Sequence, residues 1–222
     1  MTLTRRTLLV LLAALALAGP AARAQAVPVP VSPLKARVMA RNGRLVAALD
    51  VSPVFGPDRE RAFGNGLTNV VALYVTVTPE AGGTPVAFHG RVVEILFDVW
   101  DETYAVTLKD PDFPAGRRLV LPDFAALRSY LSDQRELDLG PLSALPVGPF
   151  VVEARLEVNP VSREQLQRTR EYIASAAGNR PGGGSRSVLG AVASFLLREP
   201  DPGTDVHLLR SRAFSHAEVQ PR

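Results

Sequence analysis

The sequence has no cysteine, two lysines (Lys35 and Lys109), one tryptophan and three histidines among its 222 residues. Without cysteine it has no disulfide, no thiolate metal site, no cysteine nucleophile and no residue to carry a lipid behind a leader. It also lacks a G-x-S-x-G elbow, which leaves a serine hydrolase of that type without its signature. The 17 glycines and 19 prolines follow no period, so collagen-like and repeat architectures are excluded. What is present, 46% apolar and 21% charged residues, describes a globular chain with enough apolar surface for a core.

The first 24 residues read differently from the rest. Arg5 and Arg6 precede an apolar run from Leu8 to Ala18, and Ala22-Arg23-Ala24 forms an A-x-A site. Eleven apolar residues are too short for a bilayer core of roughly 30 Å, so the sequence predicts a secretory signal peptide cut after Ala24 or Ala26. Thr4 to Leu9 also resembles a twin-arginine export signal, while the very apolar run favours the general route, and both remain open. Removal of residues 1–24 takes away three of the 25 basic residues and no acidic one, leaving 22 against 22. A neutral mature chain offers no electrostatic footprint for nucleic acid.

Residues 25–33, with Pro28, Pro30 and Pro33, predict an extended spacer. Asn42-Gly43 between Lys35–Arg41 and Arg44–Val51 predicts a tight hairpin, because both residues accept positive φ. A helical turn is expected around Pro57 to Ala62. Strands are expected at Leu67–Thr78, at Val86–Trp100 with Val93, Ile95, Phe97 and Val99 inward, and at Tyr104–Lys109 and Arg118–Leu121. Asp123 predicts a helix start, with Phe124, Leu127 and Leu131 on one face. Phe150 to Val158 alternates so regularly that Val152 and Leu156 are expected inside and Glu153, Arg155 and Glu157 in water. Ser162 and Gln165 form a capping box for a helix reaching about Ala177. Asp205–Phe214 closes the fold, and 215–222 is expected to be a frayed tail. The fold class is therefore mainly β: one antiparallel β-sandwich over 34–214, with about eight strands, two or three short helices in the C-terminal half, and a Gly-rich loop and amphipathic helix inserted at 179–199.

The stretch from Val71 to Val161 resembles a bacterial family of exported proteins defined only as a domain of unknown function. The likeness rests on a long strand, the aromatic-acidic turn Trp100-Asp101-Glu102-Thr103-Tyr104, the short helix Phe124-Ala125-Ala126-Leu127, a Leu-rich connection and the strand end Glu153-Ala154-Arg155-Leu156-Glu157. It has no counterpart for Gly182 to Glu199. The resemblance implies a β-rich extracytoplasmic protein and brings no activity, cofactor or catalytic residue.

Other candidate sites are weak on residue chemistry. Asp98, Asp101, Glu102, Asp110 and Asp112 offer hard oxygen ligands for Ca²⁺ from two neighbouring loops, without the spacing of an EF-hand. Gly182-Gly183-Gly184-Ser185 precedes a helix but lacks the lysine of a phosphate loop. Arg163, Arg168 and Arg170 alternate with Glu164 and Glu171, as on a solvated helix face. Val188, Leu189, Val192, Phe195 and Leu196 form the one apolar stripe suited to docking an envelope partner, against a reading as plain core packing; contact with a membrane surface is disfavoured because only Arg186 and Arg198 flank it.

The expectation is thus a non-enzymatic binding or assembly module of the cell envelope, without cofactor or metal; the alternative is an extracytoplasmic hydrolase or metal-dependent enzyme assembled from distant loops. Export is directly checkable. Intact-mass analysis of protein from its native host is expected to give an N-terminus at Gln25 or Val27, and a stable cytoplasmic form beginning at Met1 or Thr2 refutes it.

Overall fold

The computed structural model describes residues 29–145, 148–160, 167, 169–174 and 204–219. Strands β1 (Val31–Pro33), β2 (Lys35–Arg41) and β3 (Arg44–Asp50) are followed by α1 (Asp58–Phe63). Then come β4 (Asn69–Pro79), β5 (Ala87–Asp98), β6 (Thr103–Lys109), β7 (Arg117–Leu121), α2 (Phe124–Ser132), β8 (Asp133–Pro141) and β9 (Phe150–Val158). Helical residues at 169–174 (α3), β10 (Asp205–Arg210) and α4 (His216–Val219) complete the described chain. A seven-stranded sheet in the order β1-β10-β9-β4-β5-β6-β7 faces a three-stranded sheet in the order β2-β3-β8. The fold is a mainly β sandwich, as the alternation requires, with ten strands among the described residues.

The local chemistry explains most of the boundaries. Asn42 and Gly43 take φ of 50° and 73°, the mirror-image turn that matches strand twist, and β2 pairs with β3 from Lys35↔Asp50 to Arg41↔Arg44. Asp123 caps α2, its Oδ1 accepting from the Ala126 N–H at 2.7 Å. Between the sheets lies one core, in which Leu45, Leu49, Phe55, Phe63, Ile95, Leu127, Leu137, Phe150 and Leu156 are almost wholly buried. The inner faces of β4 and β9 supply Leu73, Val75, Val152, Ala154 and Leu156 to it.

Several expectations need correction. The spacer is not free throughout: Val31–Pro33 adds to the sheet parallel to Leu208–Arg210, because β10 presents an unpaired edge and the Leu34 N–H reaches the Arg210 carbonyl at 2.8 Å. The strand β8 escaped the period-2 reading because a bulge interrupts it. Glu136 stands at φ 54°, the register against β3 shifts twice, and the buried positions fall at Gln134, Leu137 and Leu139. Val99 lies beyond the end of β5 and is 56% exposed. The C-terminus is not frayed before 219: Phe214 bridges to Phe150 with ring centroids 4.2 Å apart, and Val219 is buried. Helices are not confined to the second half, since α1 forms near the expected turn.

The largest correction concerns β9. Arg155 and Glu157 are buried instead of facing water, and only Glu153 retains substantial exposure. The outer face of the large sheet is itself covered by α3: Tyr172 meets Phe88 edge-on at 4.8 Å, Phe88 stacks near Tyr74, and the Tyr74 hydroxyl pairs with Thr169 Oγ1 at 3.1 Å. Gly90 permits this approach, because a Cβ there would stand 3.3 Å from the Phe88 ring and 3.7 Å from Tyr172. Under this cover Arg155 donates from Nε and Nη2 to Glu157 Oε1 at 2.8 and 2.7 Å. Burial, followed by the Glu157 carboxylate, drives the Tyr74 phenol above its ordinary range.

A buried ion pair contributes little net stability but is costly to halve. Glu157→Ala is therefore expected to destabilise by about 3–5 kcal/mol, comparable to the roughly 2–5 kcal/mol for Leu156→Ala. The double change Arg155→Met with Glu157→Leu is expected to cost less than Glu157→Ala alone. Denaturant melts of the three variants measure this, and a near-neutral Glu157→Ala contradicts it.

Candidate functional site

β4, β9 and β10 present every second side chain to the outer face of the large sheet. Thr76 and Thr78 of β4, Glu153 and Arg155 of β9, and Leu208 and Arg210 of β10 line a groove of about 350 Å³. Val31 of β1 walls one side, and Pro79, Gly82, Gly83 and Pro85 of the β4–β5 turn form a rim at the other. Gly82 and Gly83 adopt φ of 89° and 117°, which ordinary side chains resist, so this turn needs glycine. Cross-strand register sets the floor: Thr76 lies opposite Glu153, Tyr74 opposite Arg155 and Leu208 opposite Arg155.

The charges in the groove are already paired. Glu153 accepts from Thr78 Oγ1 at 3.1 Å and from Arg210 Nη1 at 2.9 Å, and Arg155 is held by Glu157. The arrangement thus joins hydroxyl groups and neutralised charge on the floor to apolar walls from Val31, Leu208 and the prolines. Such a surface holds a ligand by shape, apolar contact and a few hydrogen bonds, without demanding net charge on it. Sequence reading missed the groove because Glu153-x-Arg155-x-Glu157 on a strand has the same pattern as a solvated face.

A second polar group lies between the sheets. His89 and Arg91, both on the inner side of β5, reach β8: His89 Nδ1 donates to the Asp138 carbonyl at 3.1 Å and Arg91 Nη1 to Gln134 Oε1 at 2.8 Å. Arg91 also donates to Asp110 Oδ2 from Nη2 at 2.8 Å, and Asp110 is 1% exposed. Gln134 in turn donates to the Leu131 carbonyl at 2.7 Å. His207 sits apart, its Nε2 at 2.9 Å from Asp205 Oδ1 and 3.0 Å from Arg59 Nη2, in a cluster that ties α1 to β10. Burial raises the Asp205 carboxyl, but the Arg59 guanidinium and His207 outweigh it and hold the group below the usual carboxylate range. Neither His89 nor His207 hydrogen-bonds to a hydroxyl among the described residues.

The expected calcium ligands are not brought together. Asp98, Asp101 and Glu102 belong to the turn at one end of β6 and Asp110 and Asp112 to the loop at the other, a strand length of about 20 Å apart. Asp98 Oδ1 accepts from the Trp100 and Asp101 N–H groups, and Asp110 Oδ1 from those of Asp112 and Phe113. Among the described residues no group of three or more His, Asp or Glu is placed to hold a metal ion. Arg170 does not stand free on a solvated face but bonds Glu94 at 2.7 Å. The glycines at 182–184 and the stripe Val188, Leu189, Val192, Phe195 and Leu196 lie outside the described residues, as do Arg163, Arg168 and residues 1–24.

No protein-family model matches the chain, and searches of curated proteins and of solved structures return no match.

The buried imidazole has a measurable consequence. Burial, then the neighbouring Arg91 charge, lowers the His89 pKa from 6.5 to about 4. Between those values the unfolded chain binds the proton and the folded chain does not. The contribution of neutral His89 is therefore complete above pH 6.5 and is lost as pH falls toward 4, by a few kcal/mol in order of magnitude. Unfolding free energies measured across that interval are expected to fall in the wild type and to flatten in His89→Gln; parallel curves contradict the assignment.

Proposed function

We propose that the chain is an exported, non-enzymatic binding module of the bacterial cell envelope, and that its ligand lies in the groove over Thr76, Thr78 and Glu153. The observation that carries this reading is the groove itself: about 350 Å³ on the outer face of the large sheet, floored by hydroxyls and internally paired charges. A volume in this range suits a small molecule, and the absence of an unpaired charge among Glu153 and Arg210 favours an uncharged, amphipathic one. The extracytoplasmic location rests on the leader at residues 1–24, and the resemblance over Val71 to Val161 points the same way.

Neither His89 nor His207 has a hydroxyl partner among the described residues, and Asp98, Asp110 and Asp205 serve turns and ion pairs. These facts favour binding over hydrolysis. The test uses a neutral, environment-sensitive fluorophore, N-phenyl-1-naphthylamine. Titration is expected to give saturable enhancement in the wild type, lost on Leu208→Arg and on Thr76→Trp, with the thermal midpoint of each variant measured alongside. Equal binding by correctly folded groove variants, or none by the wild type, overturns the reading.

A further inference from the structure

The opposite edge of the large sheet carries a second feature. β7 is the last strand, and among the described residues it pairs only with β6, from Tyr104↔Leu121 to Leu108↔Arg117. Sheet edges that are not used are usually blunted by lysine, proline or a bulge within the strand. β7 has none of these in its Leu119-Val120-Leu121 half, and Val120 is 68% exposed. Val120 is also the end of a row: Leu96 lies opposite Ala105 and Ala105 opposite Val120, so three exposed apolar side chains cross β5, β6 and β7 in register and run off the sheet.

Charge along this edge is polarised. Arg117 and Arg118 occupy its first two positions, and the Arg117 guanidinium is held 5.6 Å above the Phe113 ring. At the other end Leu121 is followed by Pro122 and by Asp123, while Tyr104, the partner of Leu121, is raised by burial and then by the carboxylates of Glu60 and Asp123. Cations therefore mark the start of the strand and carboxylates surround its end. A parallel partner of the same sequence would set arginine beside arginine. An antiparallel one sets the arginines of each strand toward the carboxylates of the other.

We propose that β7 is a self-association edge, on which a second copy of this chain docks its own β7 antiparallel about a two-fold axis at Leu119. In that register Leu119 faces its equivalent, Arg118 faces Val120 of the second copy, and Arg117 faces Leu121. The aliphatic stem of each Arg118 covers the Val120 it meets, which completes the apolar row. The interface is isologous and closes, so the product is a dimer with a continuous sheet and no fibre. This site is separate from the groove, which lies across β4, β9 and β10.

Sedimentation of the purified chain over the micromolar range is expected to show a concentration-dependent dimer. Val120→Lys changes a side chain that is already exposed, so the thermal midpoint is expected to stay in place while the dimer dissociation constant rises by about tenfold or more. Since the chain has no cysteine of its own, Leu119→Cys provides a register test: paired positions at the axis have Cα atoms about 4.5–5.5 Å apart, within disulfide range. Mild oxidation is expected to cross-link that variant and not Met39→Cys on the other sheet. A chain that stays monomeric throughout, a dimer unaffected by Val120→Lys, or a monomer whose edge takes up only an extended peptide from another protein overturns the proposal. Dimerisation without cross-linking at 119 overturns the register.

Discussion

The Arg91 guanidinium ties the two sheets to each other and to the loop after β6. It takes a buried carboxylate from Asp110 and a side-chain amide from Gln134, and Asp110 uses its second oxygen to fix the N–H groups of Asp112 and Phe113. A charge at this depth is tolerable only with every partner in place, because an unpaired one costs several kcal/mol. The position of β8, the exit of α2 and the shape of the 110–116 loop are thus set by one side chain. His89, two residues earlier on the same face, adds a second bond to β8 and so makes the seam directional as well as polar.

The same logic works on the other side of the large sheet. Tyr74 and Phe88 are covered by α3, and on the same face Arg155 and Glu157 are buried with the guanidinium bonded to Glu157 Oε1. Farther along the same face Thr76, Thr78, Glu153 and Arg210 line the groove, with the two threonines buried at its floor and Glu153 bonded to both Thr78 and Arg210.

How much of this was legible follows from which physical rule each element obeys. The Asn42-Gly43 hairpin, the Asp123 cap and the inward sets of β4 and β9 depend on local geometry, and the sequence displays them. Glu153, Arg155 and Glu157 are identical in pattern but not in fate, because coverage by a helix many residues away decides which of them meets water. β8 was hidden for a different reason: a bulge at Glu136 moves its buried residues out of alternation. The groove was not visible at all, since its lining comes from strands far apart in sequence, 75 residues between Thr78 and Glu153 and 57 between Glu153 and Arg210. A hint lay in Gly82-Gly83, which marks a turn that only glycine accepts, though nothing local says that the turn rims a cleft.

The turn between β5 and β6 holds the single tryptophan, Trp100, which is 91% exposed and whose N–H is pinned by Asp98. A fluorophore so placed emits as an indole in water whether the chain is folded or not. Its spectrum is therefore blind to the packing of the core and sensitive to whatever touches the hairpin tip. The protein carries, without labelling, an optical sensor for one patch of its own surface, and unfolding must be followed by its tyrosines or its backbone instead.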